Sequence, residues 1–153
     1  MPLLEATAFA FAYQKPLPAA AATHVWQRWS AFSSWQDWDR SLSGTQAESE
    51  TLALGQRFCV VPRVTGHPVP VTITSIVERL HFTTVSAGLM GLIAFGHTLI
   101  LDAASPTATL EHSVCAVPTD QDVFRAMHWD RLMSDVAGSV ESLSDLVVMG
   151  PAA

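Results

Sequence analysis

The chain has 153 residues, with AVILMFWYC at 49% and DEKR at only 14%, enough apolar material for one domain spanning 1–153 with a sizeable core and no disordered character. Eight basic residues against fourteen acidic ones leave a net charge of -6 and no basic cluster, so nucleic acid is excluded as an expected partner. The two cysteines, Cys59 and Cys115, sit in apolar stretches without C-x-x-C spacing and read as reduced, buried and intracellular.

The N-terminus lacks the basic segment and continuous apolar run of a signal peptide and carries Glu5 early, which predicts a cytoplasmic protein. From Thr7 to Tyr13, bulky and alanine positions alternate with a period of two, the mark of a strand. After Lys15-Pro16-Leu17-Pro18, the spacing of Val25, Trp26, Trp29 and Phe32 predicts a helix starting near Pro18 or Ala19. Ser33-Ser34 interrupts it, and Trp35 to Arg40 predicts a second short helical turn, followed by a polar turn from Ser41 to Ala47.

From Glu48 to Val117, glycine and proline punctuate runs rich in Val, Ile, Thr and Phe. They predict six antiparallel strands, near 48–54, 56–62, 69–77, 79–86, 92–101 and 108–117. The stretch from Leu80 to Leu101 has no Asp, Glu, Lys or Arg, but His81, Gly88, Gly91, Gly96 and His97 interrupt it; it reads as two buried strands and a turn, not a membrane span. The last element begins at Thr119-Asp120-Gln121-Asp122, with acidic groups at the positive end of the helix dipole. Trp129, Leu132, Met133, Val136, Val140, Leu143 and Val147 then form one stripe, and Gly150-Pro151 closes a helix of about seven turns.

A bend centred on Ala104 and Ser105 fixes the register of the last two strands. It pairs Leu101 with Ala108, Leu99 with Leu110, His97 with His112 and Phe95 with Val114, all on one apolar face. Three readings of the facing histidines stand side by side. They are satisfied core residues; they line a cavity and do acid-base work, one taking a proton while the other, protonated, donates to a carbonyl; or, least supported, they begin a zinc site, for which no in-phase residue supplies further ligands. Seven strands over one helix leave inward surface to enclose a ligand. Trp26, Trp29, Trp35 and Trp38 fill the core or wall that space, and His128 either looks into it or lies at the surface. Neither cysteine has an in-phase basic neighbour to activate it, and the orientation of Arg57 and Arg63 is open. No phosphate loop or hydrolase motif occurs, so no cofactor is expected.

The order of elements, together with V-W-x-x-W at Val25 to Trp29, W-Q-D-W-D at Trp35 to Asp39, Gly55 with Phe58, H-T-L from His97 and T-L-E-H-S-V from Thr109 to Val114, resembles the START/Bet v1-like (SRPBCC) superfamily, in its polyketide cyclase/dehydrase and lipid-transport branch. Gln36 departs from the usual proline. The resemblance implies an α+β helix-grip fold: a curved seven-stranded antiparallel sheet wrapped around a long C-terminal helix, with two short helices after the first strand. It implies a hydrophobic small-molecule ligand and leaves a homodimer open. Aldol cyclisation or dehydration would place His97 and His112 as base and acid, with Trp35, Trp38, Phe95, Leu99, Leu110 and His128 lining the pocket. The alternative is a non-catalytic carrier or sensor of lipid or another apolar ligand.

Overall fold

The structure, a computed structural model, describes residues 8–149; Thr7, Glu5 and the Gly150-Pro151 helix stop lie outside the described residues. Strand β1, Phe9–Pro18, leads into helices α1, Ala19–Ala22, and α2, Val25–Ser30, and then a 3-10 helix, Phe32–Asp37. Strands β2, Leu42–Gln46, β3, Arg57–Pro62, β4, Val69–Val77, β5, His81–Gly88, β6, Gly91–Leu101, and β7, Thr107–Pro118, follow. The C-terminal helix runs as Gln121–Phe124, a π-helical turn Arg125–Trp129, and Asp130–Val148. All seven strands form one antiparallel sheet in the order β1-β7-β6-β5-β4-β3-β2.

Alternation decides the faces. In β1, Phe9 and Leu17 are buried while Ala10, Ala12 and Gln14 are exposed, so the bulky phase meets the C-terminal helix and the small one faces outward. That helix starts at Asp120, whose carboxylate accepts from the Val123 N–H at 3.0 Å, a charge-assisted cap on an otherwise unsatisfied donor. It buries Leu132, Val136, Val140, Leu143 and Val147 against the concave side of the sheet. Half-buried Tyr13 and Lys15 both bind Glu141 of the helix, at 2.6 and 2.5 Å, tying the β1 edge to it.

Three expectations need correction. Residues 48–54 form no strand, and the seventh strand is instead Leu42–Gln46 inside the predicted polar turn. Cross-strand pairing overrides local composition there, because Thr45 and Gln46 pair with Val60 and Cys59 and Gly55 and Gln56 bond to Ile73; the intervening residues loop out. The first helical stretch is broken at Thr23-His24 and again at Ala31, earlier than Ser33-Ser34. Cys115 is exposed and Cys59 only half-buried, because Cys115 shares the outward phase of β7 with Glu111 and Ser113.

Positive φ occurs at Gly55, Gly66, Arg79 and Gly91. Gly91, at φ +105°, follows the Leu89-Met90 turn of the β5–β6 hairpin, and Arg79, at φ 69°, lies in the β4–β5 turn, where Leu80 N–H bonds back to Val77 O. Among the described residues no helix is long and apolar enough to cross a membrane.

Candidate functional site

The β6–β7 hairpin places His97 directly opposite His112, with Leu99 opposite Leu110 and Phe95 opposite Val114. Both histidines point into the core, 7% and 2% exposed, with ring centroids 4.8 Å apart. The helices after β1 close over them. Trp29, Trp35 and Trp38 approach His97 with ring centroids at 5.9, 6.2 and 6.1 Å, and Phe82 of β5 stacks on its other face at 4.0 Å and 3°. The V-W-x-x-W and W-Q-D-W-D segments therefore supply the lid of an aromatic cage whose floor is the hairpin.

The hydrogen bonds set the tautomers. Trp29 Nε1–H donates to His112 Nε2 at 3.2 Å, so the imidazole proton is on Nδ1, facing Ser139 Oγ at 2.8 Å. The Ser139 hydroxyl in turn donates to Val136 O at 2.7 Å. Both nitrogens of His112 are thus engaged in a relay from the lid to the C-terminal helix. His97 Nδ1 faces the Phe82 carbonyl at 3.3 Å, and a carbonyl only accepts, so that nitrogen carries the proton and Nε2 keeps its lone pair. His97 Nε2 has no partner among the described residues. Trp35 Nε1–H donates to Trp29 O at 2.8 Å, whereas Trp38 Nε1–H is buried and unpartnered.

Desolvation controls the charges. Burial pushes His97 down to about 3, with His81 adding a smaller lowering effect against the Phe82 carbonyl, which raises it. His112 is held well below its ordinary value, first by burial and then by His97. Both rings are neutral at neutral pH. Beside the cage, Asp39 is pushed up to about 6 by burial, against hydrogen bonds from Ser41 that lower it and with Asp135 adding to the rise.

The remaining expected site residues divide by position. Trp35, Trp38, Leu99 and Leu110 share one buried cluster with the cage. Phe95 is half-buried and packs in a second cluster with Phe9, Val114, Phe124 and Trp129. His128 does not join the histidine pair: it lies in the π-helical turn, 6.1 Å from Phe124 between ring centroids and 3.3 Å from the Arg131 guanidinium. Arg57 is exposed, and Arg63 donates to the carbonyls of Arg40 and Leu42, so neither reaches the interior. Among the described residues no group of three metal-ligating side chains occurs.

Sequence reasoning overlooked Ser139 and Phe82. Ser139 stands three residues after Val136 and four before Leu143, inside the apolar stripe, and a hydroxyl at a core phase was the available signal. Phe82 alternates with His81 and Thr83 and opposes His97 across β5 and β6, which only the sheet register reveals.

No family model matches the chain, and no curated protein matches it. Solved structures do. Ginseng major latex-like protein 151 from Panax ginseng superimposes with a TM-score of 0.69 at 10% identity, over 90% of this chain and 96% of that one. Norcoclaurine synthase from Thalictrum flavum, solved with dopamine and hydroxybenzaldehyde, gives 0.68 at 8% identity, over 96% and 90%. Ara h 8.0201 gives 0.65 at 15% identity, over 94% and 100%. At these identities the likeness establishes architecture alone: the chain has the helix-grip fold of Bet v1-like proteins.

Proposed function

We propose that this protein binds an uncharged, oxygenated hydrophobic small molecule within the helix grip, at the aromatic cage around His97. One observation carries the reading: an acceptor with no hydrogen-bond partner among the described residues, His97 Nε2, and a buried unpartnered donor, Trp38 Nε1–H, lie on rings whose centroids are 6.1 Å apart. An unpaired buried donor costs about 1–3 kcal/mol, and a ligand hydroxyl or carbonyl reaching it would recover much of that. Neutral imidazoles and four surrounding aromatic rings favour an uncharged, flat ligand. The norcoclaurine synthase structure holds dopamine and hydroxybenzaldehyde; the second, an uncharged hydroxylated aromatic, is of the type proposed and supports the reading.

In its catalytic form the reading is polyketide cyclase/dehydrase-like. His97 Nε2 takes the proton from a carbon acid, the enolate carbon closes on a second carbonyl, and the imidazolium returns the proton to the alkoxide; in dehydration the enolate instead expels a β-hydroxyl, which takes that same proton and leaves as water. His112, with both nitrogens engaged, orients the lid. A second reading, a carrier or sensor without turnover, is favoured by the same burial that holds His97 near 3, since so weak a base transfers protons poorly near neutral pH.

Native mass spectrometry of the purified protein, compared with its denatured mass, tests binding directly, and a retained apolar molecule is expected. With that molecule as probe, Trp38→Phe weakens affinity by roughly two- to tenfold, the worth of one hydrogen bond. His97→Gln leaves affinity within about tenfold for a carrier but removes turnover by about a hundredfold or more for an enzyme. No retained or titratable apolar ligand, or an unchanged affinity in Trp38→Phe, overturns the assignment to this cage.

A further inference from the structure

On the outer side of α2, away from the histidine pair, a cleft of about 340 Å³ opens between that helix, the loop joining β2 to β3, and the β4–β5 turn. Its apolar surfaces are Trp26, Leu52 and Ile76, all partly buried and packed against the main core. Two carboxylates, Glu50 and Glu78, line it from different segments, and no Lys or Arg does. Among the described residues the only ion pair is Lys15 with Glu141, so neither cleft carboxylate has a protein counter-ion. Glu50 is anchored, its Oε1 accepting the Ser33 N–H at 2.8 Å, and Ser33 holds the carboxyl below its ordinary value, hence ionised. Trp26 is braced edge-to-face against Trp29 at 6.2 Å and 74°. The Ser30 hydroxyl is turned inward, donating to Trp26 O at 2.7 Å.

We infer that this cleft is a binding site for a small organic cation, an ammonium group carried on an apolar body. The volume is at the lower end of small-molecule pockets. An indole beside two carboxylates without cationic partners meets a positive charge by cation–π and Coulomb attraction together, while Leu52 and Ile76 take the apolar portion. Anions are repelled, and a neutral molecule gains only the apolar contact. The net charge of -6 adds a long-range attraction that draws cations toward the protein. The inference does not rest on the interior site, whose unpartnered groups favour an uncharged ligand.

Benzyltrimethylammonium and its carbon isostere neopentylbenzene, titrated at equal concentrations into the ¹⁵N-labelled full chain, separate charge recognition from apolar contact. The cation is expected to give saturable shifts at the Thr51 and Glu78 amides and the Trp26 indole, weakening as salt is added, and the isostere little or none. The exposed double variant Glu50→Gln/Glu78→Gln should keep its remaining spectrum and bind the cation about tenfold more weakly. Equal shifts from the isostere, equal binding by the double variant, shifts centred elsewhere, or no saturable shift would each overturn the inference.

Discussion

Acid should unfold this protein through its core histidines, and Asp39 should set how steeply. His97 goes from about 3 in the folded chain to an ordinary 6.5 when exposed, and His112 is shifted in the same direction. A depressed folded value means that the unfolded chain binds the proton first. The contribution is therefore complete above 6.5 and is lost as pH falls toward the folded value. For His97 alone the total is on the order of 5 kcal/mol, comparable to the whole stability of a small domain. Near pH 5 each histidine adds a slope of about 1.4 kcal/mol per pH unit. Asp39 acts in the opposite sense. Its folded value, raised from 3.8 to about 6, gives stability that is complete below 3.8 and lost as pH rises through 6, with half-buried Asp135 shifted the same way. Between pH 6 and 4 the carboxyls thus offset about one of the two histidine protons, less whatever solvent screens at partly exposed Asp39. Urea midpoints across that range should fall with a net slope of about 1.4 kcal/mol per pH unit, rising toward about 2.7 in Asp39→Asn, which keeps the oxygen that accepts from Ser41. Long-range ¹H–¹⁵N spectra of the imidazoles supply an independent check, with both rings as neutral Nδ1–H tautomers down to about pH 5. A folded-state titration of either ring near 6.5, or a flat pH dependence, would refute the reasoning.

The relay from Trp29 through His112 to Ser139 has its own test. Ser139→Ala leaves the His112 Nδ1–H without an acceptor in the core and should cost about 1–3 kcal/mol in urea denaturation; a loss of only a few tenths would mean the hydroxyl is not its partner. Gly91 and Gly96 should respond differently to alanine. At Gly91, φ is +105° and a Cβ would collide with the Val117 backbone oxygen, so Gly91→Ala should lower stability by about 2 kcal/mol or more. At Gly96 the obstacle is the Ser113 hydroxyl, 2.5 Å away, which can rotate aside, so the loss should be the smaller of the two; thermal denaturation that reverses this order would refute the backbone argument.

Much of the fold was legible because its signals are local. The bend at Ala104-Ser105 alone aligned His97 with His112, since hairpin register follows from turn position and side-chain alternation reports the buried face. The long stripe from Trp129 to Val147 and the Asp120 cap likewise needed nothing beyond their own segment. The strand at Leu42–Gln46 was missed, and one was expected at 48–54, because a short polar edge strand is selected by its partner β3, not by its own composition. Within the site, the histidines and tryptophans were identifiable as residues, but their roles were not. Trp29 occupying His112 Nε2, Ser139 receiving His112 Nδ1–H, and Trp38 left without an acceptor are outcomes of three elements meeting in space.

By itself, then, the sequence determined the order of most strands and helices, the facing histidines, the cluster of tryptophans and the acidic balance, all of which follow from periodicity, turn chemistry and composition, while the helix grip was what the family resemblance implied. Only the tertiary structure decided that the two imidazoles are neutral, which hydrogen-bond positions remain open, and that Trp26 meets Glu50 and Glu78 in one cleft. Desolvation and hydrogen-bond satisfaction depend on what surrounds a group from every direction, and chain order specifies neighbours along only one.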